Sequence, residues 1–394
     1  MKNIDFTRED LKKIHQKQIF LYARESKDTG ISRAELAARL KLSFPSITAL
    51  VDELIEKGLL IETGSTEAKE RGRPRSLLRV KSDIIYVPAF ELQREGYRFV
   101  LYDVCGRMEK EAFLPFKDRE KTFEPWRPSN EELASPITEC INREKESYRL
   151  SDILISIPGN IYSDGSLSSS ALNLKSEKNL IEFIEEKTGL SVFTLNIADA
   201  LAYAESVYSD VGKNYIYINI SDGIGAGIIK DGRIFKNSNR RAGEIGHMSI
   251  DFNGRPCSCG ARGCLERYAC VEAILDEAKE TLKLTSVSLP ILVSEFNSGN
   301  ERATDLITKK ADVIALAINN ALTLHYAENI IIGGPITELG RKFETLMQNA
   351  LQARLSKMYR NECKLKLSEN HLCDSTIGIF NEYIDNVLQT DILK

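Results

Sequence analysis

Residues 247–266 read HMSIDFNGRPCSCGARGCLE, a stretch that places one imidazole and three thiols within 18 residues. These four side chains are His247, Cys257, Cys259 and Cys264, and the glycines between them allow the chain to fold back on itself. A Cys3His set matches the tetrahedral coordination that zinc prefers in proteins. Because protein side chains fill all four positions, we expect one structural Zn²⁺ ion per chain, with no position left for a reacting water.

The remaining cysteines are scattered along the chain, a pattern typical of buried thiols rather than of a disulfide framework. They are Cys105, Cys140, Cys270, Cys363 and Cys373. The N-terminus, MKNIDFTREDLKK, lacks the apolar segment of a signal peptide, and no apolar run approaches the ~18 residues that a membrane span needs. We therefore expect a cytoplasmic protein without a membrane partner.

Length and charge indicate more than one domain. The 394 residues exceed the roughly 250 to 300 at which single hydrophobic cores usually divide. Residues 1–80 carry 16 Lys and Arg against 12 Asp and Glu, a net charge of +4, whereas the rest of the chain carries −8. A basic N-terminal part on an acidic body favours a nucleic-acid-binding module attached to a second domain.

The N-terminal part has the pattern of a helix-turn-helix. A helix is predicted over residues 8–27, and Ser32 and Glu35 have the spacing of a capping box that begins a short helix from Arg33 to Leu40. Ser43 is placed to cap the next helix, and its apolar residues recur at i, i+3, i+4 and i+7: Ile47, Leu50, Val51 and Leu54. A plain helical hairpin is the alternative for this segment alone.

The second of these helices would enter the major groove with its N-terminus first. We expect its DNA-facing residues to be Ser43, Pro45, Ser46, Thr48 and Ala49. Two predicted strands, 59–62 and 76–80, follow it, and the turn between them contains Arg71, Arg73 and Arg75. Arginines at such a tip suit phosphates and the narrow minor groove, so this segment predicts a wing, although a merely solvated basic turn is the alternative.

From about Lys81 apolar runs alternate with longer helical stretches, which predicts an α/β body. Strands are expected at 97–103, 153–157, 215–220 and 330–332. Helices are expected near 130–147, 177–188, 266–282 and 301–326.

The body also carries a family resemblance. The stretch Ala242 to His247 (AGEIGH), followed by the pattern Cys-x-Cys-Gly-x-x-Gly-Cys-Leu-Glu, resembles the signature of the ROK family of repressors, open reading frames and sugar kinases. An N-terminal winged helix that ends in Gly-Arg-Pro resembles the repressor branch, which includes xylose repressors and regulators linked to N-acetylglucosamine and glucose. The similarity spans nearly the whole chain and extends to the glycine-rich segments 222–227 and 333–335.

This resemblance implies a winged helix-turn-helix over residues 1–80 and a sugar-kinase-like domain over 81–394. It implies that this second domain has two actin-like α/β lobes that divide near 195–200, with a C-terminal helix returning to the first lobe. A sugar would bind in the cleft between the lobes, through residues that match the family's contacts: Gly159, Asn173, Asn196, Glu244, His247 and Glu266. The alternative for these groups is that they stabilise the zinc loop alone. The resemblance further implies a homodimer and a palindromic double-stranded operator.

Two departures from the family pattern oppose catalysis. Kinases of the family begin this domain with a small-residue phosphate loop, where this chain has the bulky and acidic segment 90–96 (FELQREG). The family's general base is an aspartate, and Ile197 occupies its position, whereas Asp199 lies two residues farther along and should point elsewhere. Three hypotheses stay open: a sugar-sensing repressor of carbohydrate genes without enzymatic activity, a regulator controlled by a protein partner, and an active sugar kinase.

Overall fold

The computed structural model describes residues 7–65, 76–117, 126–235, 242–356, 359–360, 362–369 and 374–387. Arg71, Arg73 and Arg75 of the predicted wing tip lie outside the described residues, as does Cys373. The described chain combines helices with several β-sheets, so the predicted α/β class is confirmed.

The N-terminal residues form a unit of three helices and a three-stranded sheet, which we call the head. Its elements are α1 (Arg8–Glu25), β1 (Ile31–Ser32), α2 (Arg33–Leu40), α3 (Phe44–Glu56), β2 (Leu60–Ser65) and β3 (Ser76–Val80), with strand order β1-β3-β2. The capping box is present: Ser32 accepts from the Glu35 amide, and the Glu35 carboxylate accepts from the Ser32 amide. Ser43 caps α3, and Pro45 lies in its first turn. The two predicted short helices and the tight turn between them are present, and an antiparallel strand pair follows them.

The apolar face of α3 is buried in a hydrophobic cluster that continues from the head into the body. Ile47, Val51 and Leu54 are fully buried and pack in one cluster with Leu36 of α2. Leu50 is only partly buried, because it lies at the margin of the buried face. The helical periodicity therefore predicted which side of α3 faces inward and which side faces solvent.

The first half of the body contains a five-stranded sheet of order β11-β7-β4-β5-β6, together with a small antiparallel sheet of β8, β9 and β10. The elements are β4 (Tyr86–Gln93), β5 (Gly96–Asp103), β6 (Met108–Pro115), α4 (Asn130–Glu144), β7 (Ile153–Ile157), β8 (Asn160–Ile161), β9 (Leu167–Ser169), β10 (Leu174–Lys175), α5 (Leu180–Thr188) and β11 (Val192–Asn196). Some of the apolar side chains of the larger sheet form a buried cluster with those of α4 and α5, and others belong to a second cluster with residues of two helices that come later in the chain.

After α6 (Ile197–Tyr208), the second half contains another five-stranded sheet, of order β14-β13-β12-β15-β16. Its elements are β12 (Tyr215–Ile220), β13 (Ile224–Lys230), β14 (Arg233–Ile234), α7 (Glu266–Ala269), α8 (Val271–Leu282), α9 (Leu289–Asn297), α10 (Glu301–Leu324), β15 (Asn329–Gly333), α11 (Gly340–Arg354) and β16 (Lys364–Leu367). The chain then enters α12 (Ser375–Glu382), which packs against β4 and β7 of the first sheet.

The predicted helix over 266–282 is wrong as a single element. Cys270 adopts an extended backbone, with φ −68° and ψ 159°, and separates α7 from α8. The Cys270 thiol accepts from the amide of Ala273 and so caps α8. Cysteine is not among the usual capping residues, so the sequence pattern carried no signal for this break.

Helices α6 and α12 join the two halves. Besides α12, α6 packs against β12 and β13 of the second sheet, while α12 packs against the first sheet. The two helices approach closely at Gly378, where a Cβ would lie 1.9 Å from the Ala200 carbonyl oxygen and 3.2 Å from the Cβ of Ala204. Only glycine allows this separation without moving one helix.

Helix α1 of the head is tied to the body through Arg24, whose side chain is 12% exposed. Its guanidinium donates to the carboxylate of Asp385 at 3.2 Å, to the amide oxygen of Asn381 and to the carbonyl oxygen of Val104. It also lies 5.2 Å from the centroid of the Phe380 ring. One cationic side chain therefore connects the head to the last turns of the described chain.

Within the described residues, none of the helices has both the length and the apolar character needed to cross a bilayer.

The contact at Gly378 generates a stability prediction. Alanine normally stabilises a helix interior by up to ~1 kcal/mol relative to glycine. At this position its methyl group would overlap the Ala200 carbonyl, so we expect Gly378→Ala to destabilise the protein by about 1–3 kcal/mol, as overpacking typically does. Thermal unfolding measures the change. An unfolding midpoint equal to or above that of the wild type would contradict the packing described for α6 and α12.

Candidate functional site

The four predicted zinc ligands come together in one cluster, the metal cluster. His247 ends a short 3₁₀ turn, Ile245–His247, and the cysteines lie in turns held by bridges between Ser249 and Cys264 and between Pro256 and Arg262. Gly263 has φ +70°, and a Cβ there would lie 1.7 Å from the Asp251 carbonyl oxygen. The loop can therefore close only with glycine at that position.

Distances in the metal cluster fit a tetrahedral ion. The ligand atoms of His247, Cys257, Cys259 and Cys264 all lie within 4.8 Å of one another. The Cys259 and Cys264 sulfurs are 3.6 Å apart, and the Cys257 sulfur is 3.7 Å from Nδ1 of His247. Zinc–sulfur bonds of about 2.3 Å give a tetrahedron with edges of roughly 3.7 Å, so the donor set suits zinc.

The electrostatics of the metal cluster also bear on metal binding. Burial, reinforced by the Cys259 and Cys257 thiols, raises the pKa of Cys264 to about 12. A thiol must lose its proton to bind zinc, so metal binding here displaces protons that burial would otherwise retain. Glu266 lies against the same cluster, with its Oε1 3.1 Å from the Cys257 sulfur and 3.5 Å from Nδ1 of His247.

Beside the metal cluster lies a cleft of about 600 Å³ between the two halves of the body. All six predicted sugar-binding residues line it: Gly159, Asn173, Asn196, Glu244, His247 and Glu266. A volume of this order suits a small ligand, and polar groups from several elements converge in it. Glu266 and His247 belong both to the cleft and to the surroundings of the metal cluster.

Three hydrogen bonds hold polar groups of the cleft in place. Asn196 caps α6, accepting from the Ala198 amide at 2.8 Å, and its Nδ2 donates to the Gly159 carbonyl oxygen at 2.9 Å. Asn160 donates to the Glu244 carboxylate at 3.0 Å. The side-chain amide of Asn196 thus bonds both to α6 and to the loop at Gly159. A ligand that contacts Asn196 must share these hydrogen-bonding groups with them.

Several polar residues of the cleft wall were missed by sequence reasoning, among them Asn160, Lys175 and Arg127. Asn160 directly follows Gly159, which the family resemblance singled out, so its position carried a signal. Arg127 and Lys175 follow the residues of an isolated bridge between Trp126 and Leu174, a tertiary contact that no local pattern predicts.

Two positions matter for phosphoryl transfer in the family's kinases, that of the general base and that of the phosphate loop, and this chain has different residues at both. Ile197 lines the cleft, whereas Asp199 is not among the lining residues. In place of a phosphate loop, β4 and β5 form a tight hairpin in which Gln93 pairs with Gly96. At its tip, Arg94 donates to Asp222 at 3.3 Å and to the Ala171 carbonyl oxygen at 3.0 Å.

The candidate DNA interface lies on the outer side of α3. Ser43, Pro45, Ser46 and Ala49 are exposed there, and Thr48 is partly exposed. Their side chains therefore lie on one solvent-facing end of the helix, opposite the buried face.

Arg33 of α2 fixes α3 relative to the strands of the head. It forms ion pairs with Asp52 of α3, at 2.8 Å, and with Glu62 of β2. The helix-turn-helix and the following strand pair are thereby held in one arrangement.

A family model described as "ROK family" matches residues 114–381. The chain is 26% identical to the xylose repressor of Caldicellulosiruptor bescii over 82% of this chain and 84% of that protein. Among solved structures, a ROK family transcriptional regulator, described as a homologue of the Escherichia coli MLC protein, superposes with a TM-score of 0.77 at 24% identity, over 95% of this chain and 97% of that one. A ROK hexokinase from Thermus thermophilus superposes with a TM-score of 0.61 at 21% identity, over 76% of this chain and 99% of that one.

The geometry of the metal cluster predicts that one cysteine holds both the metal and the loop. We expect about one zinc per wild-type chain, and Cys259→Ala to lose it, because folding free energy is coupled to coordination. Loss of a metal typically costs more than ~4 kcal/mol, so the unfolding midpoint should fall by roughly 10 °C. Elemental analysis and thermal unfolding measure the two effects.

Cys140→Ala provides the matched control, since Cys140 is a buried thiol of α4 that is not part of the metal cluster. It should keep the metal while losing some packing energy. A folded wild-type protein that contains no zinc would refute the assignment.

Proposed function

Because this chain belongs to the ROK family, we propose that it is a DNA-binding transcriptional regulator, a repressor of carbohydrate genes that senses a sugar without phosphorylating it. The observation that carries the proposal is a helix-turn-helix joined to a kinase-like body that has Ile197 in the cleft and a closed hairpin at the phosphate-loop position. The xylose repressor similarity supports the same function.

We propose that the head binds one half of a palindromic operator and that a homodimer supplies the second head. The N-terminal end of α3 would enter the major groove with Ser43, Pro45, Ser46, Thr48 and Ala49. The wing arginines 71, 73 and 75 would contact phosphates or the minor groove. A structural Zn²⁺ ion on the Cys3His set would hold the cleft wall.

The cleft supports sensing rather than catalysis. General-base assistance typically contributes ~10²- to 10⁴-fold in rate, and isoleucine has no group that accepts a proton. Positioning of the nucleotide dominates phosphoryl transfer, and the hairpin tip carries Arg94, whose guanidinium donates to Asp222, in place of the small residues of a phosphate loop. Carboxylate, amide and imidazole groups remain, and these suit hydrogen bonds to sugar hydroxyls.

A contiguous set of contacts connects the cleft to the head. Helix α6 begins at Ile197 in the cleft and packs along α12. Midway along α6, the Tyr203 hydroxyl donates to Oδ2 of Asp385 at 3.0 Å, while Oδ1 of Asp385 accepts from Arg24. A ligand that moves the start of α6 would therefore change the surroundings of the arginine that anchors α1. A sugar shifts DNA binding only by its differential affinity for the two arrangements.

Salt dependence tests the DNA-binding proposal. Replacing both Arg71 and Arg73 with alanine should weaken binding to many sequences alike and lower the slope of log affinity against log salt by about one to two units, since each lost phosphate contact removes ~0.9. Arg302→Ala with Arg341→Ala is the matched control, because both arginines are exposed on the body. An unchanged slope in the head variant would refute the wing assignment.

Coupling through Arg24 is tested with Arg24→Gln, which keeps a polar side chain and removes the charge. The sugar response is the ratio of the operator affinity without sugar to the affinity with sugar. We expect the variant to bring this ratio closer to one by a factor of about 2 to 30, the range that residues between coupled sites typically show. Xylose, glucose and N-acetylglucosamine are the probes, and fluorescence anisotropy measures the affinities.

Arg39→Gln is the control, since Arg39 is another arginine of the head and pairs only with the exposed Glu25 at 3.4 Å among the ion pairs of the described residues. Equal sugar responses in the Arg24 variant and the wild type would exclude this route.

A further inference from the structure

We propose that Phe44 contacts the C5-methyl group of a thymine in the major groove and so selects an A·T pair in each half-site. The inference rests on the proposed function, because it assigns a specificity residue to the same DNA interface. Phe44 is the first residue of α3, and its side chain is 55% exposed. One and two turns farther along the helix, Ile47 and Val51 are fully buried, so the ring lies outside the core that these residues form.

The hydrogen-bonding groups around Phe44 are largely used within the helix. The Thr48 hydroxyl donates to the Phe44 carbonyl oxygen at 2.9 Å. The hydroxyls of Ser43 and Ser46 are bonded to each other at 2.8 Å, and Ser43 also accepts from the Ser46 amide. At most one of these three hydroxyl protons remains for a base.

What this end of α3 presents instead is apolar surface. Besides the ring of Phe44, it exposes the proline ring of Pro45 and the methyl group of Ala49. In the major groove each base pair presents donors and acceptors, and the thymine methyl is the apolar group among them. The chemistry of the helix end therefore matches thymine better than guanine, whose recognition uses bidentate hydrogen bonds from arginine or lysine.

The backbone presents the ring in a defined position. Ser43 caps α3 with φ −66° and ψ 150°, and Pro45 follows Phe44 directly. A residue before proline has restricted backbone freedom, and a phenyl side chain has only two rotatable bonds. Little conformational entropy is therefore lost when Phe44 meets a base, which favours a specific contact over loose packing.

The experiment uses the full chain and a pool of random-sequence duplex DNA. Four proteins are compared by selection and sequencing: wild type, Phe44→Ala, Phe44→Leu and the control Leu11→Ala. Leu11 is an apolar residue of α1 that is 44% exposed, which makes it a match for Phe44 in the same head. We expect the wild type, Phe44→Leu and Leu11→Ala to enrich an A·T pair at one position of each half-site. Phe44→Ala should lose the preference at that position and retain the others.

A second measurement removes only the methyl group. In the enriched duplex, the selected thymine is replaced by deoxyuracil, which keeps every hydrogen-bonding group. The wild-type affinity should fall about fourfold, the amount expected for one buried methyl-sized group, and the affinity of Phe44→Ala should not change.

Three results would overturn the proposal. Identical enrichment by the wild type and Phe44→Ala would show that the ring selects no base. If the affinity of Phe44→Ala fell below that of the wild type by the same factor on the thymine duplex and on the deoxyuracil duplex, the ring would contact the DNA backbone and not the methyl group. No enrichment by the wild type would overturn both this inference and the proposed DNA-binding function.

Discussion

The close packing of α6 on α12 is the contact on which the rest of the structure depends. Gly378 lets the two helices approach to a distance that no side chain would allow. One end of α6 contributes Ile197 to the cleft, and the segment after α12 supplies Asp385 to Arg24 of the head. Closely packed helices shift between discrete arrangements rather than deform continuously, so a change at the cleft would be transmitted to α1.

The metal cluster makes a comparable connection on the other side of the cleft. His247 is one of the four ligands and also lines the cleft, and Glu266 contacts the cluster while facing the same space. A bound ion would therefore hold the ligand-facing groups as well as the loop. Under the proposed function, the metal cluster would keep the predicted sugar-binding side chains in place, although Ile197 has no group that accepts a proton.

Local patterns in the sequence predicted the features that depend on neighbouring residues. Capping at Ser32 and Ser43, the buried face of α3 and the Cys3His set all arise from spacings of a few residues. The break at Cys270 had no such signal, because a thiol supplies the cap. The bonds of Arg24 to Asp385 and of Asn160 to Glu244 join residues 361 and 84 positions apart, so only the folded chain reveals them.

The central claim is that the cleft senses a sugar and changes DNA binding without chemistry. The most direct measurement is the affinity of the wild-type chain for its selected operator in the presence of ATP and a panel of pentoses, hexoses and amino sugars, with the sugars recovered and analysed afterwards. The account predicts that at least one sugar changes the affinity about fivefold or more, the lower range of allosteric coupling, and is recovered unmodified. A sugar that is phosphorylated at the expense of ATP while the DNA affinity stays constant would contradict it.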